Sequence, residues 1–527
     1  MDIIFIIQQV KYIIVCRYPE NKHFRSIIWK DVRIMFLTEL LTRQKDNNQL
    51  AIKYGNNEIT FRDWNNCSRQ LSDALKEAVT EDSSNLAIFL PNSIDYAITY
   101  FSILFLKKII VPIGIQSKGL EITSTLEYCE VDLMISSLQY RDFLKECLLP
   151  YNHKVTLLFI EDQSIESINC EKEYVPKSNA IINAASEDDV AIMLHTSGTT
   201  SNPKRVMLSH KNLISNVESN IASLVLSSND KVLIALPMFF GYCNTAQFLT
   251  HLYLGASIVI LDSVFLPKQF FQIVEREKIT NFTGVPSMLL MLLDYRYSDK
   301  YDFKSLRYMC FGGGKMPIEK LKELIKKYPS IGFVQTYGQT ECSPRVTAIL
   351  PQDALRKIGS VGKPIPNVEV QIFDENENPL SQNEIGEITV KGNNTMKGYY
   401  KQPEITKETI RNKWLHTGDL GYFDDEGYLY LTGRIKNIII SGGINIYPEE
   451  IEQLLFQHEC VDDVCVIGEE HKMMGEVPVA MVVLKADITS AELKQYCSQK
   501  LTDYKVPIRF DFLESLPKTY NGKIKRF

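Results

Sequence analysis

The stretch Val190-Ala191-Ile192-Met193-Leu194-His195-Thr196-Ser197-Gly198-Thr199-Thr200-Ser201-Asn202-Pro203-Lys204 decides how this chain is read. Its apolar run, Val190 to Leu194, predicts a buried strand. The strand feeds into a loop that sets the hydroxyls of Thr196, Ser197, Thr199 and Thr200 around Gly198 and ends on Lys204. Hydroxyls, backbone N–H groups and one cation in so short a span suit an anion, phosphate before others. The Walker loop is a different solution, and its glycine and Lys-Ser/Thr spacing is absent here. Taken alone, a Ser/Thr/Gly run usually marks a polar surface turn, so the remainder of the chain has to decide.

Four more clusters follow. They are Tyr337-Gly338-Gln339-Thr340-Glu341; Thr417-Gly418-Asp419; Gly433-Arg434-Ile435-Lys436 with Ser441-Gly442-Gly443 and Pro448-Glu449-Glu450-Ile451-Glu452; and Pro517-Lys518-Thr519-Tyr520-Asn521-Gly522-Lys523-Ile524. With the hydroxyl loop they resemble, in the same order, the motifs of the AMP-forming adenylating enzymes, the superfamily of acyl-CoA synthetases, nonribosomal-peptide adenylation domains and luciferases. The likeness runs over roughly residues 36 to 527 and is greatest to the stand-alone acid–CoA ligases. It implies ATP-dependent conversion of a small-molecule carboxylic acid to an acyl-adenylate, with Mg2+, followed by thioester formation. The acceptor is CoA or the phosphopantetheine of an acyl or peptidyl carrier protein, and no sequence feature separates the two. A luciferase-type oxidation and a nucleotide- or acyl-binding protein without catalysis are the other readings.

The reaction must hold a polyphosphate, neutralise it and expose one phosphorus in line. By the resemblance, Thr196, Ser197, Thr199 and Thr200 donate to the outer phosphates, Gly198 permits close backbone approach, and Lys204 supplies a point charge. Glu341, with Thr196, is the expected Mg2+ site, since a hard carboxylate beside phosphate is what magnesium takes. Tyr337 offers a flat face to adenine, within a nucleotide set that includes Gly312, Gly313, Gly338, Gln339 and Thr340. Asp419 accepts the ribose hydroxyls and Arg434 reaches the ribose or a phosphate. Lys523 is the expected catalytic lysine, bridging the substrate carboxylate and the α-phosphate; Lys518 and Lys525 are its solvated neighbours. Lys436 matches the family's hinge, and Gly442 and Gly443 its thiol tunnel. Each residue also has a plainer role: packing for Tyr337 and Cys342, a turn for Asp419 and the glycine pair, a salt bridge for Arg434.

The acyl pocket is expected from Phe240, Tyr242, Val285 and Gly314. Amino-acid-activating members carry an aspartate in the first of these segments. None lies between Pro237 and His251, so an α-ammonium would be buried unpaired, and a non-amino acid, fatty or aryl, is favoured. Three departures from the family pattern stand out: Ser201 and Arg205 where glycine is usual, and Phe240 where many acyl- and aryl-CoA synthetases have histidine.

A chain of 527 residues, 45% hydrophobic and 23% charged, is long enough for more than one folded domain. A net charge of −6 supplies no basic face for nucleic acid. Eleven scattered cysteines without a CxxC pair suggest reduced thiols in a cytoplasmic protein. No run reaches the roughly 18 apolar residues of a transmembrane segment. Strand-like runs such as Leu86–Leu90 and Ser257–Leu261 alternate with helical stretches such as Pro267–Lys278 and Ile318–Lys327. That alternation predicts an α/β fold with mixed and parallel sheets. Period-two strands between Gly362 and Leu431 predict a small β-barrel, and a mobile α/β C-terminal domain follows. The expected divisions are 1–34, a doubtful extension with Met35 as the start; 35–435, the adenylating domain; and 436–527, the C-terminal domain.

Overall fold

The computed structural model describes residues 36–527 except 80–83, 150–154, 162–164, 169–185, 196–203, 315, 518–525 and 527. Residues 1–34 of the expected extension, and Met35, lie outside the described residues.

Two sheets build the large N-terminal part. One has eight strands in the order Gly398–Tyr399, Arg205–Ser209, Val190–His195, Ile109–Pro112, Asn85–Phe89, Val131–Ser136, Val155–Phe159, Ile165–Ile168. Its middle is parallel and its edges antiparallel. Parallel neighbours need a crossover, and Ile94–Phe105 provides one. That helix is apolar nearly all round because it is buried, and the Ser93 hydroxyl caps it by accepting from Tyr96 N at 3.0 Å.

The second path runs parallel through Leu50–Tyr54, Ser257–Ile260, Lys231–Ile234, Asn281–Gly284, Tyr308–Phe311 and Gly332–Gly338. Pro267–Glu277 and Ile318–Lys327 cross over where their periodicity predicts. From Arg345–Ala348 the pairing turns antiparallel, through Ser360–Pro364, Leu429–Arg434, Trp414–Phe423, Gly386–Gly392 and Val368–Phe373. The period-two strands are where the sequence puts them, and they pair antiparallel with one another. Their ladder continues the parallel sheet, because Arg345–Ala348 pairs on both sides. The turn between Trp414–Phe423 and Leu429–Arg434 is set by Asp424, whose Oδ1 accepts from Glu426 N at 3.0 Å and Tyr428 N at 2.8 Å, with Gly427 at φ +75°.

The smaller C-terminal part has its own five-stranded sheet, made from Ile439–Ser441, Ile444–Ile446, Val461–His471, Gly475–Leu484 and Arg509–Phe512. Helices Pro448–Leu455 and Ser490–Ser498 pack on it around Ile451, Val464, Val482, Leu493 and Phe510. Among the described residues all nine cysteines are unpaired, and no helix is long and apolar enough to cross a membrane.

Candidate active site

The site forms where Gly332–Gly338 runs out and the chain doubles back. A side chain at Gly338 would strike the Pro344 carbonyl and come within 3.0 Å of the Arg345 Cα, so only glycine admits this return. Asparagines hold the returning loop: Asn216 Nδ2 donates to Arg345 O at 2.8 Å, and Asn394 Nδ2 to Cys342 O at 2.9 Å. Met396 N donates to Glu341 O at 2.9 Å. Cys342 is fully buried and its thiol is pushed far up by burial, then by Glu341 and Asp419; it packs.

Strand pairing delivers the second group. Asp419 and Arg434 are register partners on adjacent antiparallel strands, and Arg434 Nε meets Asp419 Oδ1 at 2.6 Å. The Tyr337 hydroxyl donates to Asp419 Oδ2 at 2.8 Å. Burial and then Asp419 push the Tyr337 phenol well up, so it stays a donor. Asp419 raises Arg434 before any other cause. The Thr417-Gly418-Asp419 turn is braced from below. Thr417 Oγ1 donates to Ile388 O at 2.6 Å, and Gly418 N donates to Glu387 Oε1 at 3.0 Å. Glu387 Oε2 lies 2.7 Å from His416 Nδ1. Burial pushes the Glu387 carboxyl up, but His416, the Gly418 N–H and Arg411 outweigh it and hold the group below its usual range.

Tyr399 links a third group. The short strand Gly398–Tyr399 pairs with Arg205–Ser209, immediately after Lys204. Lys204 Nζ sits 4.6 Å from the Tyr399 ring centroid, and the Tyr399 hydroxyl donates to Glu341 Oε1 at 2.8 Å. Lys436, in the turn Ile435–Asn437, is pulled down by burial and by the charges of Arg434 and Lys204. Three cations therefore converge beside the Glu341 and Asp419 carboxylates.

The segments from which the acyl pocket is expected meet nearby. Tyr242 OH and Thr336 Oγ1 are 2.8 Å apart, and a Cβ on Gly312 would lie 2.6 Å from Thr336 Oγ1 and 3.5 Å from Tyr242 OH. Gly313, at φ +77°, faces open space. Gly314 lies against Pro286 and Val285 opens the helix Pro286–Asp294. Phe240 caps the turn Gly241–Cys243 and stacks edge-on with Phe239. Gln339 and Thr340 lie in the loop itself, half-buried.

Of the sequence-predicted residues, Tyr337, Gly338, Gln339, Thr340, Glu341, Asp419, Arg434, Lys204 and Lys436 come together. Gly442 and Gly443 sit apart on the exposed turn between Ile439–Ser441 and Ile444–Ile446, both at positive φ. Thr196, Ser197, Gly198, Thr199, Thr200, Ser201 and Lys523 lie outside the described residues. Arg205 is buried and donates to Thr125 Oγ1 at 2.6 Å, tying the first sheet to the helix Gly119–Tyr128. Sequence reasoning missed Tyr399, Glu387 and Asn394. The one available signal for Tyr399 is an aromatic pair, Tyr399-Tyr400, after a glycine.

Comparison with known proteins matches residues 41–400 to the AMP-binding enzyme family and residues 450–523 to its C-terminal domain. The long-chain-fatty-acid–CoA ligase of Bacillus subtilis is 33% identical, the alignment covering 93% of this chain and 92% of that one. The o-succinylbenzoate CoA synthetase of Bacillus subtilis, solved with its acyl-adenylate intermediate, superposes with TM-score 0.80 at 28% identity, over 93% of this chain and 96% of that one. The same enzyme solved with ATP and a magnesium ion gives TM-score 0.80 at 28% identity, over 93% and 98%. A family model matching more than half of the chain, and a relative alike from end to end, leave one conclusion: the chain belongs to the AMP-binding enzyme family.

Proposed function

We propose that this protein is an AMP-forming acid–CoA ligase. It activates a carboxylic acid with ATP, releases pyrophosphate, and passes the acyl group from the adenylate to the thiol of CoA. The relatives act as CoA ligases on a fatty acid and on o-succinylbenzoate, and one was solved with an acyl-adenylate. The observation that carries the reading onto these residues is convergence. Tyr337, Asp419 and Arg434 form one hydrogen-bonded unit, and Lys204, Tyr399 and Glu341 form another. The segments that supply them are spread from residue 204 to residue 434 of the chain.

In this reading Asp419 accepts the ribose hydroxyls, Tyr337 lies against adenine, and Lys204, Arg434 and the hydroxyl loop face the phosphates. Glu341 fits a magnesium ion: its Oε1 is taken by Tyr399 and its Oε2 has no protein partner among the described residues. Glu341 would hold the ion together with phosphate oxygens and water, and the ion would supply charge neutralisation at the polyphosphate. Lys523 bridges the attacking carboxylate and the α-phosphate. The unit from 436 to 527 turns about Lys436 between the two half-reactions and brings Gly442 and Gly443 toward the thiol.

The test is pyrophosphate release from ATP and Mg2+ over a panel of fatty, aryl and amino acids, with and without CoA. Acid-dependent release with a CoA thioester formed is the expected outcome. Release without thioester on CoA would point to a carrier-protein acceptor, and silence with every acid would overturn the reading.

A further inference from the structure

Arg345 opens the strand Arg345–Ala348, directly behind the Gly338–Glu341 loop, and only 2% of it is exposed. Its backbone is clamped by Asn216, which donates to Arg345 O at 2.8 Å. Its side chain is another matter. Nε and Nη1 are buried without a hydrogen-bond partner, and among the described residues no carboxylate pairs with the guanidinium. The group lies against the Tyr242 hydroxyl and the Cys310 thiol, close enough to offset part of the upward push that burial gives both. Tyr242 in turn touches Thr336, and Thr336 abuts Gly312. Cys310 and Thr283 are register partners one and two strands further along the sheet. The cation therefore stands in the wall of the acyl segments.

A guanidinium cannot shed its proton in a protein, so it cannot escape burial by neutralising, as a lysine can. A buried, unpaired cation costs several kcal/mol, and that cost falls away when an anion arrives. The reacting carboxylate of the substrate belongs at the α-phosphate, so it is not the counter-ion. We infer that the acid carries a second carboxylate, held by Arg345 in the acyl pocket beside Tyr242 and Thr336: the substrate class is a dicarboxylic acid. A planar fork of donors suits a carboxylate in particular. The inference rests on the acid–CoA ligase reading and narrows it.

The experiment compares dicarboxylic acids, aliphatic and aryl, with their half-methyl esters of equal length, in ATP–pyrophosphate exchange by the full-length protein. The wild type should prefer the best diacid over its half-ester by roughly 100-fold or more in kcat/KM, because a site built for a polar group rejects the analogue lacking it. In Arg345→Met that ratio should fall toward one. Arg345→Lys keeps the charge without the fork and should give an intermediate ratio. Thermal unfolding and ATP binding of each variant check that the fold is intact. If Arg345→Met does not fold, the wild-type ratio and Arg345→Lys decide. Half-esters or monocarboxylic acids used as well as diacids, or a ratio unchanged in the variants, would overturn the inference while leaving the ligase. Exchange with no acid at all would bring down the ligase reading, and this one with it.

Discussion

Tyr399 shows how one side chain serves two neighbours. Its ring lies under the Lys204 ammonium and its hydroxyl fixes one oxygen of Glu341, so a cation and a carboxylate are held in a set relation before any nucleotide arrives. A hydrogen bond to a charged group contributes about 1.5–3 kcal/mol. Tyr399→Phe, which keeps the ring, should raise the Mg2+ concentration needed for tight ATP binding by roughly tenfold, with little change in binding of the metal-free nucleotide. Nucleotide titrations at several Mg2+ concentrations check this; an unaltered Mg2+ requirement would reduce Tyr399 to packing. Residues of this kind were illegible in the sequence. Lys204, Glu341 and Asp419 announce themselves because charge is set among glycine and hydroxyls. Tyr399, Glu387 and Arg345 lie in ordinary-looking strand sequence, and their significance comes from which strand they face.

At the level of elements, the turn carrying Asp419 depends on the neighbouring strand Gly386–Gly392. Glu387 accepts from Gly418 N and lies against His416. Its native pKa is held below the usual value of about 4.3. Its contribution to stability is therefore complete above that value and is lost as pH falls through the lower native one. Glu387→Gln should flatten the fall in unfolding temperature between neutral pH and acid, relative to wild type; thermal melts down to about pH 3 check it. An equally steep fall would place the acid sensitivity elsewhere. The hinge proposed at Lys436 is a second element with a clear expectation. Proline at Lys436 removes an N–H and locks φ, so Lys436→Pro should slow thioester formation by roughly tenfold or more while adenylation is largely kept. Measuring both half-reactions separates the two, and an unimpaired thioester step would refute the hinge. Elements of this region were legible in kind but not in connection. The alternating residues of 368–372 and 386–390 betray strands, whereas period two cannot say whether a ladder closes or runs on.

Across the whole molecule, the two parallel sheets and their crossover helices follow from apolar runs set between helical periods. Ile318–Lys327 has the same limits in sequence and structure. The three-dimensional neighbourhood of the site was accessible only through resemblance, because its contributors are separated by long stretches of chain and periodicity carries no information about which loops meet. The catalytic proposal is likewise a property of the whole. In that proposal Lys523 belongs to the C-terminal part, 436–527, and is presented to a site built by the N-terminal part. Lys523→Ala should lower adenylation about 100- to 1,000-fold with ATP affinity retained, whereas Lys518→Ala should stay near wild type. Equal losses in the pair would move the assignment away from Lys523.

The pairing of Asp419 with Arg434 across two strands joined by the Asp424–Tyr428 turn has an evolutionary consequence. Side chains alternate along a strand, so adding or deleting a single residue in that turn would send Arg434 to the opposite face unless a bulge absorbed it. The composition of the turn is then free to vary, while its length is tied to keeping Asp419 and Arg434 paired.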